Sequence, residues 1–135
     1  MDRYILLGGQ KLTGEVNLQG AKNSVLPLLA ATLLYPGETM LYNVPKIRDV
    51  EGTINILRYL GCTVEVQGNT VSVDASEANR TDIPDELMQE MRSSVLFVGA
   101  LLARFGAARL TRPGGCEIGT RPIDKIGRAS CRERV

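Results

Sequence analysis

The chain has 135 residues, 44% of them apolar and 23% charged, a globular composition for which one compact domain is the ceiling. With 16 Lys and Arg against 15 Asp and Glu the net charge is +1, so no global field argues for a nucleic acid or a membrane surface as partner. Histidine is absent, which excludes Ser-His and Cys-His catalysis and leaves Cys, Asp, Glu, Lys, Arg or Tyr to move protons.

Along the chain, the apolar run Tyr4 to Leu7 and the weak alternation of Leu12, Val16 and Leu18 predict two short strands joined through Gly8-Gly9. Ala21 to Leu34 is apolar on nearly every side, which predicts an interior helix enclosed by protein, with Pro27 tolerated only near its first turn. Pro36-Gly37 stops it, and Thr39 to Tyr42 reads as a strand. Asp49 reads as the N-cap of a helix that carries Val50, Ile54, Leu57 and Leu60 on one face and is closed by Gly61. Cys62 to Val66 and Thr70 to Val73 alternate on either side of Gln67-Gly68-Asn69, a hairpin signal. A second long helix is predicted from Pro84-Asp85-Glu86 through Met88, Met91, Val95, Leu96, Val98, Leu101 and Leu102 to Phe105, ended by Gly106. A strand, Ala108 to Thr111, follows it. An apolar helix, a glycine, a short strand and a proline thus occur at Leu28 to Pro45 and again at Val98 to Pro113, an order that a repeated unit or chance would equally produce.

The chemistry of the chain lies in Arg112-Pro-Gly-Gly-Cys116-Glu-Ile-Gly-Thr-Arg121-Pro-Ile-Asp124, where a thiol follows a glycine pair and a guanidinium stands five residues on. Glycines let a backbone bend and approach a ligand closely, so a sulfur carried there is reachable. A nearby arginine favours the thiolate, while a dry, closed site favours the thiol. Gly114-Gly115 reads either as a turn after a strand or as the hinge of a lid that excludes water. Cys62, at the start of an apolar strand, reads as a buried inert thiol. Three cysteines with no paired spacing and no Cys-x-x-Cys argue against a disulfide framework and a thiol redox protein. With no signal peptide or long apolar span opening the chain, the expected compartment is the cytoplasm.

Lys22 and Asn23 open the first predicted helix, where free N–H groups and the dipole favour an anion; from spacing alone they read equally as a solvated charge and a helix cap. Arg92 has Met88, Gln89, Val95 and Leu96 as its helical neighbours, so no acid offers it a local partner, and both it and Arg121 are suited to phosphate or carboxylate forks.

Gln19-Gly-Ala-Lys22-Asn23-Ser24, Asn43-Val-Pro-Lys46 with Asp49-Val50, Met91-Arg92-Ser93-Ser94, Ala103-Arg104-Phe105-Gly106 and Pro113-Gly-Gly-Cys116-x-Ile-Gly-x-Arg121-Pro-x-Asp124 occur in that order. Together they closely resemble the UDP-N-acetylglucosamine 1-carboxyvinyltransferase family, the enolpyruvyl transferases of bacterial peptidoglycan synthesis. The resemblance covers residues 1–124. It implies an α/β (α+β) fold, the inside-out α/β barrel of the enolpyruvyl transferase type, built from repeated βαβαββ units and truncated here. It implies that residues 1–20 are strands of a missing second domain and that 21–124 are part of the first. Apolar faces intended for missing units would then be exposed.

The resemblance further implies that Cys116 is the general acid and is open to alkylation by fosfomycin, that Lys22, Asn23 and Arg121 bind phosphoenolpyruvate, and that Arg92, Arg121, Pro122, Ile123 and Asp124 bind the UDP-sugar. No metal or organic cofactor and no obligate protein partner is called for; the partners are phosphoenolpyruvate and UDP-N-acetylglucosamine. The shikimate-pathway enolpyruvyl transferase, which shares the fold but lacks this cysteine loop, and a non-catalytic ligand-binding fragment are the alternatives.

Lys125 departs from the family pattern, and its contact is not carried over. The string ATC GGA AGA GCG TCG TGT AGG GAA AGA GTG, a common short-read sequencing adapter, translates to Ile126–Val135 residue for residue. The tail 125–135 is therefore expected to be an adapter-derived artefact, and Cys131 carries no argument.

Overall fold

A computed structural model describes residues 3–9, 11–111 and 114. Helix α1 (Lys22–Ala31) forms where the apolar run was expected, and a 3₁₀ turn, Thr32–Leu34, follows it. Thr32 causes the tightening: its Oγ1 donates to the Leu29 carbonyl at 2.7 Å, a local bond that competes with the regular ladder. Pro27 lies inside α1, past the first turn, and has no N–H for the carbonyl four residues back, that of Asn23. Val25, Leu26, Leu29, Ala30 and Leu33 are buried, but Leu28 and Leu34 are each 53% exposed. The expected all-round enclosure is thus not met among the described residues, because α1 has packing partners on one side only.

Strand β1 (Glu38–Leu41) leads to helix α2 (Arg48–Tyr59). The cap differs from expectation: extended Ile47 precedes the helix, and Asp49 lies within its first turn, where a carboxylate also complements the helix dipole. Val50, Ile54, Ile56 and Leu57 are buried. At the other end Gly61, with φ of 100°, donates to the Arg58 carbonyl, and Cys62 donates to that of Leu57. These two bonds are a Schellman motif, which requires the left-handed conformation that glycine adopts without strain.

The hairpin of β2 (Thr63–Gln67) and β3 (Thr70–Asp74) turns through Gly68-Asn69, with the positive φ on Gly68. All three strands are antiparallel in the order β1-β3-β2, with Leu41 opposite Val71 and Val64 opposite Val73. Val64, Val71 and Val73 turn inward to the core, while Ser72 on the outer face donates to Glu38 at 2.7 Å. At the end of β3, Asp74 accepts from the backbone N–H and the hydroxyl of Ser76, which holds its carboxyl below the usual aspartate range.

The second long helix is not continuous. It divides into α3 (Asp85–Glu90), a 3₁₀ segment Arg92–Leu96 and α4 (Phe97–Phe105), with Met91 fully extended between the first two. Ser94 explains the break, since its buried hydroxyl lies 3.1 Å from the Met88 carbonyl and 2.9 Å from that of Met91. The Met91 side chain lies over Gly52 of α2, and Thr53 Oγ1 and Ser93 Oγ both approach its sulfur. Ala108 to Thr111 contributes one parallel bridge, Asp82 to Arg109, in place of the expected strand.

Residues 3–9 and 11–20 form no strand, contrary to expectation, and Tyr4, Ile5, Leu6, Leu7, Leu12, Val16 and Leu18 are exposed. Alternation orients side chains, but a strand also needs a neighbour for its backbone N–H and C=O groups, and none pairs with this stretch among the described residues.

Arg104 of α4 joins three elements: Nη1 donates to the Leu33 carbonyl at 2.8 Å and Nη2 to the Ala75 carbonyl, just beyond β3, at 2.7 Å. Cys62 is buried, as its sequence context predicts, and burial outweighs the opposing effect of Arg104 to push the thiol from 9.0 up to about 11. Between these values the unfolded chain loses the proton and the folded one keeps it. Stability is therefore unaffected by this group below pH 9.0 and falls as pH rises from there to about 11. Cys62→Ala is expected to flatten that alkaline slope in urea unfolding curves; an unchanged slope would show that Cys62 does not cause it.

Candidate active site

The amino ends of α1 and α2 meet. Gly20 passes so close to the Asn43 carbonyl that a Cβ there would collide with that oxygen and stand 3.3 Å from its carbon. Asn43 itself takes a left-handed φ of 57°, and the Val44 N–H after it is held by the Asn69 carbonyl at 2.8 Å. This contact holds the segment leading into α1 against the loop leading into α2. Lys22 of the one then forms an ion pair with Asp49 of the other.

Lys22 is 54% exposed and Asp49 31%, so the pair contributes at most about 1 kcal/mol to stability. A weak, solvated partner is readily exchanged for a competing anion. Asn23 is not a cap: Ala21 occupies that position without a side-chain bond, and Asn23 is an exposed second residue of the helix. The first N–H groups of α1 have no intrahelical acceptor, and together with the dipole they favour an anion.

Arg92 opens the 3₁₀ segment immediately after the break at Met91. That segment packs against α1, and Met91 packs against α2. Gly114 comes to the same region, its N–H donating to the Met88 carbonyl at 3.0 Å. Lys22, Asn23 and Arg92 are thus placed on elements that pack together. Cys116, Arg121, Pro122, Ile123 and Asp124 lie outside the described residues. Asp49, Ser94 and Gly114 are the site neighbours that the sequence did not single out in these roles; Asp49 reads there as a helix start and as part of a family motif.

Among the described residues no group of three or more His, Cys, Asp or Glu could hold a metal ion. No helix among them is long and apolar enough to cross a membrane.

Comparison with known proteins identifies the family. The family model for EPSP synthase (3-phosphoshikimate 1-carboxyvinyltransferase) matches residues 6–130. A UDP-N-acetylglucosamine 1-carboxyvinyltransferase 2 from Caldanaerobacter subterraneus subsp. tengcongensis is 48% identical over 124 residues, which is 92% of this chain and 30% of that protein. A UDP-N-acetylglucosamine 1-carboxyvinyltransferase from Sorangium cellulosum is 50% identical over 125 residues, 93% of this chain and again 30% of the relative. The chain therefore spans about 30% of the length of the curated relatives it matches. Among solved structures, the enolpyruvyl transferase NikO from Streptomyces tendae superposes with a TM-score of 0.67 at 30% identity, covering 75% of this chain and 24% of that one. The observed order of helix, strand, helix and hairpin is thus a portion of the enolpyruvyl transferase fold, and the chain belongs to the EPSP synthase (3-phosphoshikimate 1-carboxyvinyltransferase) family, the enolpyruvyl transferases.

Proposed function

We propose that the chain is the amino-terminal portion of an enzyme that transfers the enolpyruvyl group of phosphoenolpyruvate to the 3'-hydroxyl of UDP-N-acetylglucosamine, the first committed step of peptidoglycan synthesis in the cytoplasm. One observation carries this reading: relatives named for that activity are 48% and 50% identical over nearly the whole chain. The geometry supports it, because Lys22 offers a cation beside the free N–H groups at the start of α1, held by a carboxylate that an anion can displace.

In this reading the sugar hydroxyl adds to C2 of phosphoenolpyruvate while Cys116 gives its proton to the methylene carbon. The hydroxyl proton leaves to a base. Loss of inorganic phosphate, together with a proton from the new methyl group, then restores the double bond as the enol ether. Lys22, Asn23 and Arg121 hold the phosphate and carboxylate of phosphoenolpyruvate, and Arg92, Arg121, Pro122, Ile123 and Asp124 hold the nucleotide sugar. Fosfomycin alkylates Cys116. Residues 1–20 belong to a second domain, 21–124 to the first, and 125–135 are adapter-derived.

The family description names 3-phosphoshikimate as acceptor, which makes the shikimate enzyme the second reading. Phosphate release by the full-length protein separates them. Release is expected with phosphoenolpyruvate and UDP-N-acetylglucosamine and not with shikimate 3-phosphate; the reverse result overturns the proposal. The 135-residue chain, which spans about 30% of the length of its relatives, is expected to release none.

A further inference from the structure

Ser94 has no exposed surface and lies two residues beyond Arg92, yet no step assigned above uses it. Its hydroxyl has one proton and two carbonyls within reach, those of Met88 at 3.1 Å and Met91 at 2.9 Å. Met88 lies in the last turn of α3, where helix carbonyls lack an intrahelical donor. The second donor to the same oxygen is the Gly114 N–H at 3.0 Å. One carbonyl thus receives both the serine that breaks the helix before Arg92 and the chain two residues before Cys116.

Gly114 lies so close to α3 that a Cβ would collide with the Gln89 carbonyl oxygen and stand 2.6 Å from Gln89 Cα. Both obstacles are backbone and cannot swing aside. The position therefore admits only glycine while the bond to Met88 is kept. Two residues of chain reach no further than about 7 Å. Cys116 is therefore tethered by covalent reach to the residue that Met88 holds.

We infer that Ser94 is a positioning residue: with the Met88 carbonyl it forms the anchor from which the Cys116 segment departs, and it couples that anchor to the turn that presents Arg92. The inference rests on the reading of Cys116 as the general acid. A hydroxyl that only filled space in the helix break would be indifferent to Gly114. An anchor shared through one oxygen makes the two residues dependent on each other.

The test is a double-mutant cycle in the full-length protein with Ser94→Ala, Gly114→Ala and their combination, read as kcat and KM for phosphate release and as the rate of Cys116 alkylation by iodoacetamide. Each single variant is expected to lower kcat by about 10-fold to 100-fold through misplacement of the reacting group, with KM for either substrate changed far less. The double variant is expected to be no worse than the poorer single one. Gly114→Ala leaves the buried hydroxyl in place, so the anchor is tested even if Ser94→Ala does not fold. Unchanged kcat and alkylation in Gly114→Ala, or losses that multiply in the double variant, would overturn the anchor. Should Cys116→Ala retain full turnover, the general-acid reading itself falls, a result distinct from either of these.

Discussion

Replacing Cys116 by alanine in the full-length protein is expected to lower phosphate release by at least about 100-fold, the smaller end of what a positioned proton donor contributes. The expectation rests on the proposed role of Cys116 as general acid, and the composition of these 135 residues is compatible with it. They contain no histidine, and a lysine or arginine near neutral pH holds its proton too tightly to give it to carbon readily. Of the other thiols, Cys62 is buried with its pKa raised to about 11, and Cys131 falls in the tail read as adapter sequence. Cys116 is the thiol to which the proposed mechanism gives the proton. Steady-state and single-turnover phosphate release with both substrates present would check this. Turnover within tenfold of the parent, with the variant folded and substrates bound, would require a different proton source.

The second large effect concerns the fold. Arg104→Ala is expected to destabilise the protein by about 3 kcal/mol, the scale set by hydrogen bonds to charged groups when their acceptors are then left unpaired. The guanidinium spans two carbonyls, Leu33 in the middle of the 3₁₀ turn after α1 and Ala75 just after β3, so its loss removes a link between the helices and the sheet. Arg104→Lys should recover little. A single ammonium cannot reproduce a planar fork directed at two separate acceptors. Urea unfolding with unchanged slope and a lowered midpoint is the expected signature, and a loss below about 1 kcal/mol would place this contact among ordinary surface interactions.

The legible parts of the fold were those governed by local chemistry. Gly61 closed α2 where the helical period ended, and Gly68-Asn69 turned the hairpin as alternating strands require. The start of α1 at Lys22 was equally local, being set by the boundary between Gln19-Gly20 and the apolar run. Features set by distant neighbours were not legible. The break at Met91 depends on a serine hydroxyl competing for two carbonyls and on the space above Gly52, neither of which has a periodic signature. The pairing of Lys22 with Asp49 depends on two helix ends meeting through Gly20 and Asn43, residues far apart in sequence. At Tyr4 to Leu18 an apolar run and a weak alternation predicted strands, but a strand is a relation between two segments, and none pairs with this stretch among the described residues.

Pro27 bears on how firmly the tip of α1 is held. Because it withholds a donor from the Asn23 carbonyl, the turn bearing Lys22 and Asn23 is joined to the remainder of the rod by one rung fewer. The seam falls between that exposed tip and the deeply seated Leu26, Leu29 and Ala30. Such a joint leaves the tip less rigidly tied than the hydrophobic length behind it.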